Sequence, residues 1–235
     1  MLQVIEKERT QVRAFAILSA GMLALTASAC ISHSNLFKKF VDLLHPELVV
    51  YLSSLLGLFA FLLLMKTTPF RIFSNTLREG ILWSLLLALP FGTVIILIDL
   101  LAPFPEDIAL PFPVSLLIYP VMGFVAEIIF HILPFTFLVV VMSALFKKVR
   151  SKRIIAISIL VTAFLESIYH MVTLSGAVQF SNWVLLLVGF HILLFSLCQF
   201  ILFRRYDFFT MYTFRMAYYL IWHIAWGTFR LNILF

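Results

Sequence analysis

Val125-Ala126-Glu127-Ile128-Ile129-Phe130-His131-Ile132-Leu133 and Leu165-Glu166-Ser167-Ile168-Tyr169-His170-Met171 each set a carboxylate and an imidazole four residues apart in an otherwise apolar run. In a helix, positions i and i+4 share a face, so each pair aims both groups at one point. An ionisable side chain in hydrocarbon is expensive, and inside a spanning segment it marks a functional site by default. Reading these runs as membrane helices decides the fold.

The rest of the chain agrees with that reading. Of its 235 residues 63% are hydrophobic and 12% charged, with a mean hydropathy of +1.09. Soluble domains carry about 25% charged residues, so a soluble enzyme is excluded. Apolar stretches near the ~20 residues that cross a bilayer fall at about Ala14–Ser32, Glu47–Leu64, Gly80–Leu101, Pro113–Phe146, Ile154–Val172, Trp183–Phe203 and Phe208–Phe229. The fourth is long and contains Pro120 and Pro134, either of which can kink it or start a new helix. The expectation is an all-α polytopic membrane protein, a bundle of seven or eight transmembrane helices forming one domain over 1–235.

The net charge of +6 does not indicate nucleic acid, because Lys and Arg cluster in alternate loops. Lys7, Arg9 and Arg13 precede the first span, Lys66, Arg71 and Arg78 follow the second, Lys147–Arg153 follows the fourth, and Arg204-Arg205 follows the sixth. The segments Asp99–Asp107 and Thr173–Asn182 are acidic or neutral, with Lys38 and Lys39 in dissent. Positive-inside orientation therefore predicts an integral protein of the cell membrane with a cytoplasmic N-terminus. Ala27-Ser28-Ala29 in the first span resembles a signal-cleavage site, and that span is expected to stay as an uncleaved helix. Cys30 and Cys198 both fall in spans and say little about redox compartment.

Depth brings the histidines together. His131 lies sixteen residues before Lys147, His170 seventeen after Arg153, and His223 sixteen after Asp207. Three helices thus carry an imidazole roughly 24–26 Å from the cytoplasmic ends, in the outer part of the membrane. His191, thirteen residues before Arg204, is slightly deeper. Glu127, His131, Glu166, His170 and His223 form a nitrogen and oxygen set suited to a divalent metal, zinc first. A bound metal would lower the pKa of its water, with a glutamate as proton acceptor; without metal, Glu127 or Glu166 would activate water directly.

Glu127-Ile-Ile-Phe130-His131 also resembles the Glu-Glu-x-x-Phe-Arg-Gly motif of the CAAX-prenyl-protease and bacteriocin-processing (CPBP) intramembrane proteases. Ala163–Met171 is similar to their second motif, an apolar helix ending in His, and Leu193–Thr228 to their last two helices. The resemblance covers about 116–231 as a CPBP-like core and implies a peptidase with Glu127, His170 and His223 in its site. Ala126 stands where the family has its first Glu, His131 where it has Arg, Glu166 where it has Phe, and Gly227 where Asn or Asp follows the last His. One Glu is lost while another Glu and a His are gained, which reads as a rewired site.

The functional expectation is an intramembrane hydrolase acting on a membrane protein or peptide, with Glu127 as base and Glu166 as a supporting or metal-binding carboxylate. A catalytically silent scaffold for another membrane protein is the alternative, and a metal-dependent lipid redox enzyme a third. His191 reads as a packed histidine, His33 and His45 as solvated, and Asp99 as structural at a helix end. Arg215 either snorkels to the surface or pairs with Glu166 or a substrate carboxylate. The 26 Phe are packing and lipid-facing surface, and Trp222 and Trp226 suit the outer boundary.

Overall fold

The computed structural model describes residues 8–38, 45–105, 108–147, 149–177 and 180–234, without side chains at 32–38, 177, 231 and 232. The expected placements of His33, Lys38, Lys39, Glu106, Asp107 and Lys148 lie outside the described side chains. The described residues form helices and no strand. These are α1 (Arg9–Lys38), α2 (Pro46–Thr67), α3 (Leu77–Leu101), α4 (Ser115–Leu145), α5 (Ser151–Ala177), α6 (Asn182–Arg205) and α7 (208–234). The first six are long and apolar enough to cross a membrane. The last carries Arg215 and Arg230, and most of its residues over Phe208–Tyr219 are buried.

The fourth segment is one helix and does not divide at its prolines. Its irregularity is a π-helical turn over Glu127–Ile132, closed by Leu133 N–H donating to the Ile128 carbonyl. Pro134 follows at once, and having no N–H to give, it favours a loosened turn just before it. A second π-turn occupies Leu220–Trp226 in α7. Such turns rotate side chains out of the regular helical register and recur at functional sites. Here one carries Glu127 and His131, the other His223.

Polar contacts fix the two ends of the bundle. Gln11 of α1 accepts from Ile72 N and Phe73 N, both at 2.8 Å, and donates to the Phe73 carbonyl. Asp207 caps α7 through Thr210 N at 2.7 Å while its other oxygen takes Ser74 N and Oγ. The start of α1, the α2–α3 loop and the α6–α7 turn thus share one end, where Arg71, Arg78, Arg204 and Arg205 also lie. At the opposite end Arg230 grips fully buried Asp99 with Nε and Nη2 at 2.9 Å and also donates to the Phe104 and Pro105 carbonyls. Trp226 Nε1 adds a 2.6 Å bond to Asp99. Asp99 is therefore structural, but sealed by an arginine and not reaching the interface, and Trp226 serves it while Trp222 packs inward on Phe104.

Small residues let α3 approach α7 closely. Gly80, Ser84, Ala88 and Gly92 recur every four positions and are all buried, the arrangement that brings membrane helices together without a hydrophobic drive. Ser84 Oγ donates across the seam to the Thr210 carbonyl at 2.8 Å. A methyl at Gly92 would come 2.5 Å from Ile221 Cγ2. Gly92→Leu is accordingly expected to destabilise the bundle by about 1–3 kcal/mol, as overpacking does. Unfolding in detergent checks this, and an unchanged midpoint would mean that the seam yields. Many of the phenylalanines are core: Phe15, Phe61, Phe203 and Phe208 meet edge to face or tilted at 4.9–6.4 Å.

Candidate functional site

The π-turn of α4 turns Glu127 and His131 inward, toward α5, α6 and α7. Arg215, on α7, reaches the point where they meet. Its Nε donates to Glu127 Oε1 at 2.6 Å, and Nη2 donates to Glu166 Oε1 at 2.9 Å and to Gln199 Oε1 at 3.1 Å. Nη1 reaches the Tyr219 hydroxyl at 3.3 Å. Gln199 donates to Glu127 and Ser196 to Glu166. His131 bridges the two carboxylates, Nδ1 lying 3.3 Å from Glu127 Oε2 and Nε2 3.3 Å from Glu166 Oε2. All these ionic groups are buried, Glu127 and His131 completely.

Two carboxylates thus face one permanent cation and one imidazole. An unpaired charge in low dielectric costs far more than a pair gains, and Arg215 offsets that cost by donating to both carboxylates, while Glu127 Oε2 and His131 Nε2 make no hydrogen bond and meet only the 3.3 Å ionic contacts. Of the two readings of Arg215, pairing is the one observed, and it takes in both glutamates.

The two sequence pairs meet, but they divide into an enclosed part and an open part. A cavity of about 190 Å³ lies between α3, α5, α6 and α7. Glu166, His170, Thr173, His191, Arg215, Tyr218, Tyr219 and His223 supply its polar groups; Phe104, Phe195, Trp222 and aliphatic side chains supply the rest. Glu127 and His131 do not line it. Glu166 therefore belongs to both, holding the arginine with one oxygen and presenting a carboxylate edge to the cavity. His223 is stacked on Tyr119, with ring centres 4.5 Å apart, and set edge-on to Tyr219 at 4.9 Å. Its Nδ1 has no hydrogen-bond partner. His170 packs against Phe130 and Tyr169. His191 is a packed histidine, as expected, with Nε2 3.4 Å from the Tyr218 hydroxyl, yet it too reaches the cavity.

The donor set fits the expected metal poorly. Between the two carboxylates, where a divalent ion would sit, stands the Arg215 guanidinium, and a second cation there would meet charge repulsion. Among the described residues no group of three or more His, Cys, Asp or Glu has the geometry to hold a metal. What the arrangement can do without one is polarise a small molecule. It offers a carboxylate oriented by arginine and serine, with the imidazoles of His170, His191 and His223 on the same wall.

Sequence reading missed Ser196, Gln199, Tyr219 and Arg230. A signal existed for two of them: Gln199 and Arg230 are hydrogen-bonding groups in apolar helices, where partners are obligatory. Comparison with family models, with curated proteins and with solved structures finds no match.

Proposed function

We propose that the chain is an integral membrane hydrolase of seven spans, its N-terminus cytoplasmic, in which Glu166 activates a water molecule held in the cavity. The observation that carries this reading is the double membership of Glu166, fixed by Arg215 and Ser196 on one side and facing His170 and His223 on the other. Water adds to a substrate carbonyl carbon while its proton passes to Glu166. The imidazoles of His170 and His223 donate to the oxyanion, a role worth several powers of ten in rate when donors are preorganised in a dry site. Arg215, by fixing the carboxylate, limits reorganisation during the step.

The CPBP resemblance supports the same location. Glu127, His170 and His223 are its matching positions, and Arg215 brings from α7 the guanidinium that the family pattern carries where His131 stands. The expected orientation rests on the basic clusters gathered at one end of the bundle.

Hydrolysis in water enriched in ¹⁸O tests the proposal. Purified protein in nanodiscs of native membrane extract is expected to form carboxylates carrying the label, as new peptide termini or as released acids, and boiled protein none. Elemental analysis of the same preparation is expected to find zinc well below one per chain. Stoichiometric zinc that disappears with His223→Ala would move water activation from Glu166 to a metal. No labelled product from peptides or lipids would replace the hydrolase with the scaffold reading.

A further inference from the structure

A groove of about 350 Å³ runs down the outer surface between α3 and α6, walled by Pro90 and Val94 on one side and Leu187, Phe190 and Leu194 on the other. Its wall is almost wholly apolar, and those five residues are exposed on the flank that would meet lipid. The one polar side chain in it is His191, which also lines the central cavity. Phe91 backs the imidazole with ring centres 5.5 Å apart, and Tyr218 bonds it from the cavity side. Groove and cavity therefore meet at a single histidine, and both lie along the α3–α6 seam.

From this we propose that the groove holds one acyl chain of a membrane lipid whose ester carbonyl reaches past His191 to Glu166, so that the substrate of the hydrolase is a lipid ester. The proposal rests on the hydrolase reading of Glu166. Two observations favour lipid over peptide. An extended peptide would strand its amides against a wall that offers almost no polar partner, whereas a hydrocarbon chain has none to satisfy. A helical peptide, about 10 Å across, has no room in a cavity of about 190 Å³, a volume below the roughly 300–1,000 Å³ of ordinary ligand pockets. The groove brings the total into that range.

The chemistry balances as an ester hydrolysis. Water adds to the acyl carbonyl carbon and its proton goes to Glu166. The bond from that carbon to the alkoxy oxygen breaks, and the departing oxygen takes the proton from Glu166. The products are a fatty acid, its tail still in the groove, and an alcohol.

The test uses full-length Glu166→Gln protein in nanodiscs of phosphatidylcholine and phosphatidylglycerol, doped with the same lipids carrying a diazirine at the end of one acyl chain. Photolysis is expected to label Leu187, Phe190 and Leu194 roughly tenfold over the lipid-facing Leu55 and Phe59 of α2, a preference of about 1.4 kcal/mol. Val94→Trp, or Leu187→Trp where the first does not fold, should fill the groove and bring labelling of Phe190 and Leu194 down to that of α2. Labelling that is equal on both faces, or untouched by both tryptophans, overturns the proposal. Wild-type protein should release the fatty acid of these lipids. Enriched labelling without release would mean a resident lipid that is not the substrate, which overturns the substrate assignment. Labelled peptide termini without enriched capture would overturn the groove and leave the role of Glu166 standing.

Discussion

Arg215→Met is expected to cost about 3–5 kcal/mol of folding stability, the usual penalty for removing one partner of a buried ion pair. The penalty arises from what is left behind. Among the described residues Arg215 is the only permanent cation touching Glu127 and Glu166, and without it two buried carboxylates share one imidazole and a few neutral donors. Neither can turn to bulk solvent, because both are essentially fully buried, and only Glu166 has an edge on the cavity. Adding Glu127→Gln to Arg215→Met should recover part of the loss, since the cluster then holds one carboxylate opposite His131. Unfolding by denaturing detergent, followed by tryptophan fluorescence, gives the four stabilities needed for a double-mutant cycle, those of the wild type, Arg215→Met, Glu127→Gln and the pair. A coupling near zero would mean that arginine and glutamate act independently, contrary to the 2.6 Å bond between them.

How far the sequence foretold this cluster follows from what each residue announces. Glu127 and Glu166 were legible because a carboxylate in an apolar run must find partners on other helices, and the i,i+4 spacing gave His131 and His170 the same helix faces. The common depth of His170 and His223 was legible from residue counts, since helices of similar tilt convert sequence distance into height at a nearly constant rise. Arg215 was legible only as a charge. The expected span Phe208–Phe229 placed it on α7, but which way its long side chain turned depended on a rotation about the helix that periodicity fixes poorly in a segment apolar on most sides. The enclosure of Glu127 was hidden for another reason. The π-turn at Glu127–Ile132 shifts the register inside α4, and Pro134 signalled an irregularity without saying whether the helix would break, kink or loosen. Asp99 shows the same limit. Its position near the end of α3 was correct, yet its partner Arg230 lies 131 residues away, and no local pattern connects them. The small-residue stripe of α3 was present in the sequence as Gly80, Ser84, Ala88 and Gly92, and its four-residue spacing could have named the face that meets α7.

Glu166→Gln is expected to lower the rate of ¹⁸O incorporation by about 10²–10⁴-fold, the usual contribution of a general base, with the fold retained. The family pattern alone would favour Glu127 for this role, and the geometry separates the two. Glu127 is sealed among Arg215, Gln199 and His131, so no substrate atom can approach it within hydrogen-bond reach. Glu166 lines the cavity and shares that wall with His170 and His223. An amide at position 166 keeps the shape and can still accept from Arg215, but it cannot take a proton from water. At position 127 the same change should act through Arg215, altering stability and orientation, and lower the rate by no more than about tenfold, a barrier change of ~1.4 kcal/mol. The pair of variants therefore carries its own control. If Glu127→Gln abolishes turnover while Glu166→Gln spares it, the buried carboxylate must become exposed during the reaction, and the base is Glu127. His170→Ala and His223→Ala should each fall between these extremes, because removing one oxyanion donor costs about 10²–10³-fold when the other remains.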